Sequence, residues 1–179
     1  VKALMGVEDT GKSKGLTNLW VDGTGRIFAT YGSGTCVRVY APDGKQLLAF
    51  GEHDAGPDNF SLPAGVVTDS KGRLWALDTL RHVVSLFQPS EAGKPLAFTF
   101  YALEIGGLGP GAGELTYPSG ITGDGIGRIF VTESIGARVQ AFEIAPDTGQ
   151  PDEPVGPGAS SIPGRTLDIP PLKDKEGPI

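Results

Sequence analysis

One seven-residue pattern, Asp-x-x-Gly-Arg-[Ile/Leu]-[Phe/Trp], is written three times in this chain. It appears in VDGTGRIFAT at 21–30, in TDSKGRLWALD at 68–78 and in GDGIGRIFVTES at 123–134. The anchoring residues Asp22, Asp69 and Asp124 are separated by 47 (69 − 22) and 55 (124 − 69) positions. An interval of that size is one supersecondary unit repeated, so the architecture must be one that stacks copies of itself.

Each unit divides into the same parts. An apolar segment precedes the aspartate: LTNLWVD (16–22), PAGVVTD (63–69) and PSGITGD (118–124). A second follows the arginine: RIFAT, RLWALD and RIFVTE. A third ends near an aromatic residue, Tyr40, Phe87 or Phe142. A fourth follows in the first two units, KQLLAFG (45–51) and KPLAFTFYALEIG (94–106). Short runs rich in Val, Ile and aromatics, broken by 28 glycines and 15 prolines, read as strands rather than helices. Each unit is thus expected to be a four-stranded antiparallel meander. In the repeated turn the aspartate caps amides and the glycine supplies positive φ. The arginine after it is expected to cover an edge or to pair with a carboxylate of a neighbouring unit.

The second strands are apolar on successive residues, which implies burial on both faces. Four-stranded units of 40 to 55 residues, each covered by copies of itself, describe an all-β propeller with three blades in this chain. The residues also resemble the NHL repeat: the Asp-x-x-Gly-Arg-[Ile/Leu]-[Phe/Trp] core, followed in unit three by Arg138-Val139-Gln140-Ala141-Phe142. Units one and two depart from it, with Cys36 and Val83 where unit three has Arg138. The resemblance spans about residues 1–149 and implies blades of a ring that is usually six-bladed. It also implies an exported, periplasmic or extracellular setting.

The ends carry a mismatch. Unit three reaches APDTG (145–149) and continues as GQPDEPVGPG, which cannot hold a ladder. Residues 1–7, VKALMGV, instead match the fourth segments. They are expected to be an orphan outer strand, with repeats at 16–51, 63–106 and 118–149. Three ways of completing a ring follow: two copies exchanging these strands as a homodimer (the favoured one), a fragment of a longer chain, or a different protein partner supplying the other blades. The chain opens on VKALMG without an initiator Met or a visible signal peptide, as a processed chain or a fragment would. Residues 150–179 form a Pro- and Gly-rich tail. Its RTLDIPPL stretch, with Leu167, Ile169 and Leu172, is the best anchor if the tail docks as a strap.

The net charge is −6, which disfavours nucleic acid as a partner. No stretch approaches the ~18 apolar residues of a membrane span. The single cysteine, Cys36, excludes an internal disulfide and reads as a small buried apolar residue.

Strand alternation sorts the loops onto two faces. The variable loops share one of them, and variable loops on a repeated scaffold are where binding residues gather. The candidates there are Glu52, His53, Asp54, Asp58, Asp78, Arg81, His82 and Glu133, read otherwise as solvated loop charges. Only two histidines exist and they lack motif spacing, so catalytic zinc is not expected. No cofactor is expected; calcium stays open through carboxylates such as Asp78 and Glu133, although Tyr31 takes the third equivalent position and breaks the ring of ligands. The function that fits these observations is a non-enzymatic protein-binding or scaffolding propeller. A lyase or lactonase-type hydrolase with an axial metal is the alternative, and RNA binding a second one.

Overall fold

The computed structural model describes residues 14–54, 56 and 58–144. The expected outer strand at 1–7 and the tail at 150–179 lie outside the described residues. Eleven strands are present among those described, and no helix. Blade one is β1 (Lys14–Val21), β2 (Ile27–Ser33), β3 (Val37–Tyr40) and β4 (Gln46–Phe50). Blade two is β5 (Pro63–Thr68), β6 (Leu74–Asp78), β7 (Val83–Pro89) and β8 (Phe98–Gly106). Blade three has β9 (Pro118–Gly123), β10 (Arg128–Glu133) and β11 (Arg138–Glu143). Each blade is an antiparallel meander in sequence order, as the repeat implied.

The Asp-x-x-Gly-Arg turns are nearly superimposable in chemistry. Asp22 Oδ1 accepts from the amides of Thr24 and Arg26, both at 2.9 Å. Asp69 Oδ1 accepts from Lys71 at 2.9 Å and Arg73 at 3.0 Å, and Asp124 Oδ1 from Ile126 at 2.9 Å and Arg128 at 3.0 Å. Gly25, Gly72 and Gly127 take φ of +82°, +74° and +123°. The arginine corrects the sequence expectation. It pairs with the aspartate of its own turn, Nε to Oδ2 at 2.7, 2.6 and 2.6 Å in the three blades. The tight turn returns residue i+4 to residue i, so this carboxylate is nearer than any in another blade. Each guanidinium then rests 5.6–5.7 Å from the aromatic ring two residues on, Phe28, Trp75 or Phe130.

Strands β1, β5 and β9 contact one another in series, so the first strands are innermost and the blades fan outward. The core lies between blades. Phe28, Val37 and Val39 of blade one pack with Val66, Leu74, Ala76 and Phe87 of blade two. The opposite face of blade two, with Val67, Trp75, Leu77 and Leu86, packs with Ile121, Ile129, Val131 and Phe142 of blade three. At roughly 1.5–3 kcal/mol for each fully buried large side chain, these two seams dominate stability. Polar clamps fix the angle between blades. Trp20 Nε1 donates to Thr68 Oγ1 at 3.0 Å, and the Thr79 hydroxyl to the Pro118 carbonyl at 2.8 Å.

Burial on both faces holds for β6, every residue of which is buried. It does not hold for β10, which alternates: Ile129, Val131 and Glu133 are buried while Arg128 and Thr132 are exposed. Only one face of blade three meets another described blade. The fourth strand of blade two also starts later than the sequence suggests, at Phe98 rather than Lys94. Pro95 has no amide to donate, and the Ser90 hydroxyl bridges this stretch by donating to the Pro95 carbonyl and accepting from the Ala97 amide.

Candidate functional site

The face built from the β2–β3, β6–β7 and β10–β11 loops and the long inter-blade loops carries all eight candidate residues. Asp78 and Glu133 close the second strands of blades two and three, and each reaches back 17 residues to the loop before its blade. Asp78 Oδ2 accepts from the Ser61 amide at 2.6 Å, and Glu133 Oε2 from the Thr116 amide at 2.6 Å. The same brace is therefore built twice.

The two carboxylates then diverge. Asp78, 1 % exposed, takes three more amides, Leu62, Leu80 and Arg81, at 3.1–3.2 Å. Glu133, 4 % exposed, takes Arg138 Nε at 2.6 Å and Gln140 Nε2 at 2.7 Å. Burial raises the Glu133 pKa, but the bonds from Arg138, Thr116 and Gln140 outweigh it and the net shift is downward. Neither group is a solvated loop charge. Both are buried and occupied by backbone and side-chain donors of this chain. In blade one Tyr31 holds the equivalent position, with the Arg38 guanidinium 5.2 Å from its ring.

Arg81 and His82 lie in the same loop as Asp78. Arg81 donates to Glu104 Oε1 at 2.9 Å and to the Asn59 carbonyl at 3.3 Å. His82, buried and at φ +60°, accepts the Tyr117 amide on Nδ1 at 3.1 Å. An accepting Nδ1 means the neutral ring carries its proton on Nε2. Its ring meets Tyr117 edge-on at 4.8 Å. Glu52, His53 and Asp54 are exposed in the loop after β4, held by Phe60 N to Glu52 O at 3.0 Å and Asp54 N to Phe60 O at 3.2 Å. Asp58 is apart from them in role: its Oδ1 accepts the Phe100 amide at 3.0 Å and ties the loop to β8. Among the described residues no three His, Cys, Asp or Glu side chains group into a metal site.

What sequence reasoning passed over is apolar. Leu80, Leu108, Tyr117 and Ile135 stand 53, 67, 41 and 65 % exposed on this face. The loops that carry them are joined. Gly107 N donates to His82 O at 2.8 Å, Tyr117 N to His82 Nδ1, and Ser134 N to Tyr117 O at 3.1 Å. The available signal was positional, since Leu80 and Ile135 each fall two residues after the bracing carboxylate, where a turn would ordinarily carry a polar residue.

Three adjoining antiparallel meanders with innermost first strands define the class: these are blades of a β-propeller. A solved structure of Staphylococcus aureus virginiamycin B lyase, a catalytically inactive histidine-to-alanine variant with quinupristin, has the same fold. It matches with a TM-score of 0.51 and 19 % identity, over 76 % of this chain and 40 % of that one. The selenomethionine-substituted enzyme from the same organism gives 0.49 and 20 %, over 74 % and 39 %. This chain therefore spans about two fifths of the length of the propellers it matches. No protein family and no curated protein matches by sequence. Among the described residues no helix is long and apolar enough to cross a membrane.

Proposed function

We propose that this chain is a non-enzymatic, protein-binding part of a propeller, and that it holds its partner on the loop face of blades two and three. The observation that carries this reading is that Leu80, Leu108, Tyr117 and Ile135 are each exposed on loops cross-linked by hydrogen bonds. Exposed apolar side chains on a rigid support are what a protein interface uses, because little ordering entropy is lost on binding. The buried charges beneath them act as scaffolding. Asp78 and Glu133 hold the loops in place by accepting their amides.

The test compares the native chain with a Leu108→Asp, Ile135→Asp double variant, both immobilised and both checked for an unchanged thermal transition. A partner protein that binds the native chain should lose at least tenfold in affinity for the variant. Equal binding to both would remove the loop face from the reading. Turnover of quinupristin by the native chain with a divalent cation would overturn the non-enzymatic assignment.

A further inference from the structure

Among the described residues three other than glycine take positive φ, and two of them face each other: His82 at +60° and Tyr117 at +49°. Their rings meet edge-on at 4.8 Å. A side chain as large as tyrosine seldom holds this conformation unless its surroundings impose it. Here the restraint acts on both sides of Tyr117. Its amide donates to His82 Nδ1 at 3.1 Å. Its carbonyl accepts from the Ser134 amide at 3.1 Å and from the Ser134 hydroxyl at 2.9 Å. The His82 backbone adds a further link, its carbonyl accepting the Gly107 amide at 2.8 Å. One imidazole nitrogen thus joins the β6–β7 loop to the loop before β9 and, through Ser134, to the β10–β11 loop.

We propose that His82 is a proton-sensitive latch on the loop face: protonation of its ring releases Tyr117 and frees the loops that carry Leu108, Tyr117 and Ile135. The chemistry lies in one atom. A neutral ring accepts at Nδ1, whereas an imidazolium carries N–H on both nitrogens and accepts nowhere. Protonation therefore sets two donors against each other, Nδ1–H and the Tyr117 amide. The charged groups around the contact are already engaged. In the loop of His82 itself, Asp78 holds four amides, and Arg81 pairs at 2.9 Å with Glu104 of β8, which also takes the Ser85 hydroxyl. Across the contact, Glu114 accepts the Gly111 amide, and Glu133 of β10 is held by Thr116, Gln140 and Arg138 of β11. None of these carboxylates bonds to the ring. With the hydrogen bond lost, the left-handed strain at Tyr117 favours departure. The seam beneath, with Val84, Leu115 and Val131, is apolar and does not titrate, so the opening is confined to the loops. Binding on this face is then strong while the ring is neutral and weak in acid. That consequence rests on the loop-face reading; the latch itself does not.

Histidine is the side chain that ordinarily gains its proton between about pH 8 and pH 5. The test follows the native chain over that interval by nitrogen-15 NMR, reading the His82 ring and the Tyr117, Ser134 and Gly107 amides. The Tyr117 and Ser134 amides should shift together with protonation of the ring. Exchange protection of the Tyr117 amide, corrected for the intrinsic rate at each pH, should fall by about tenfold, the worth of one hydrogen bond. Gly107, bonded to a backbone carbonyl, should move less. His82→Asn removes the titrating ring and keeps an acceptor, since the side-chain oxygen falls close to the place of Nδ1 and asparagine tolerates positive φ. That variant, with native circular dichroism at pH 8, should keep Tyr117 protected at pH 5. His53, exposed in the loop after β4, remains in both chains and controls for the other histidine. A Tyr117 amide that stays unchanged while the ring protonates would overturn the proposal, and so would a ring that remains neutral at pH 5. Equal loss of protection in His82→Asn would overturn it as well. Should the variant not fold, the native titration decides alone. No partner enters the measurement, so a failed latch and a failed loop-face reading are separate results.

Discussion

Arg138 Nε donates to Glu133 Oε1 at 2.6 Å, and the Glu133 side chain is fully buried while Arg138 is 30 % exposed. The guanidinium continues to the carbonyls of Pro110, Gly111 and Glu114, at 2.5, 3.1 and 2.8 Å. One ion pair thus ties the end of β10 to the whole loop before blade three. Blade two has Val83 in place of Arg138, and its shorter Asp78 is drawn onto four amides instead.

Glu133→Ala should therefore destabilise the chain by about 2–4 kcal/mol, because it strips buried donors on Thr116, Gln140 and Arg138 at once. Glu133→Gln, which retains an acceptor, should cost less. Urea unfolding of the three proteins checks the order. Equal stability of Glu133→Ala and the native chain would mean the brace is not structural.

The three turn aspartates give a graded series. Asp69 caps two amides, pairs with Arg73 and also accepts from Trp75 Nε1 at 3.1 Å, with side chains 13 and 5 % exposed for Arg73 and Asp69. The Arg128–Asp124 pair is more open, at 43 and 17 %. Asp69→Ala should cost about 2–3 kcal/mol, since it leaves a buried indole N–H unpaired. Asp124→Ala should cost clearly less. Differential scanning calorimetry separates the two.

How much was legible in the sequence follows from how local each interaction is. The turns were, because Asp22 caps amides and Gly25 takes positive φ within four residues, whereas the pairing of Arg26 with the aspartate of its own turn was expected elsewhere. The blade count followed from the repeat. The brace was not legible: Ser61 and Asp78 are 17 residues apart, and nothing in either residue type announces the other. A carboxylate in a variable loop reads as solvated until the loop is seen to fold back over it. The apolar group around Leu108 was missed for a related reason. A single exposed leucine in a glycine-rich loop has no periodicity, and the hydrogen bonds that join its loop to those of Leu80 and Ile135 run between backbone groups that residue types do not announce.

Acid should unfold this chain in a definite window. Hydrogen bonds from Arg128 hold Asp124 down to about 2 against an ordinary 3.8. For Asp22 and Glu133 burial works upward, but their donors outweigh it and both are lowered. Between the unfolded and folded values the unfolded chain binds more protons, so stability rises with pH there. The Asp124 contribution is present above its ordinary 3.8 and is lost as pH falls toward 2, and those of Asp22 and Glu133, also lowered, are lost on acidification in the same direction. Urea midpoints at pH 7, 4.5 and 2.5 should show little change in the first step and a large fall in the second. Asp124→Asn should flatten part of that fall.

Gly72 and Gly106 separate conformation from crowding. Both take positive φ, +74° and +115°, but a Cβ on Gly72 would meet nothing within 4 Å. On Gly106 it would lie 2.5 Å from the His82 carbonyl and 2.9 Å from the Leu115 side chain. Gly72→Ala should cost about 1–2 kcal/mol, the strain of a left-handed L-residue. Gly106→Ala should cost more and should loosen the His82–Tyr117 contact that supports the loop face. Tyrosine fluorescence anisotropy together with chemical unfolding reads both effects.

Cys36 reports on the seam between blades one and two. It is fully buried beside Phe28 and Phe60, and its Sγ lies 3.4 Å from the Gly34 carbonyl. Burial, with smaller contributions from the Glu52 and Asp78 charges, pushes its pKa from 9.0 up to about 11. At pH 9 the folded chain then holds roughly one thiolate per hundred molecules, against about half in the unfolded chain. Thiol labelling at that pH should be more than fiftyfold slower in the native protein than in urea. Its rate should track unfolding, because the thiol reaches reagent only when the seam opens. Labelling at the unfolded rate in native buffer would mean that blade one swings away from blade two. The buried contacts of Phe28, Val37 and Val39 would then not persist in solution.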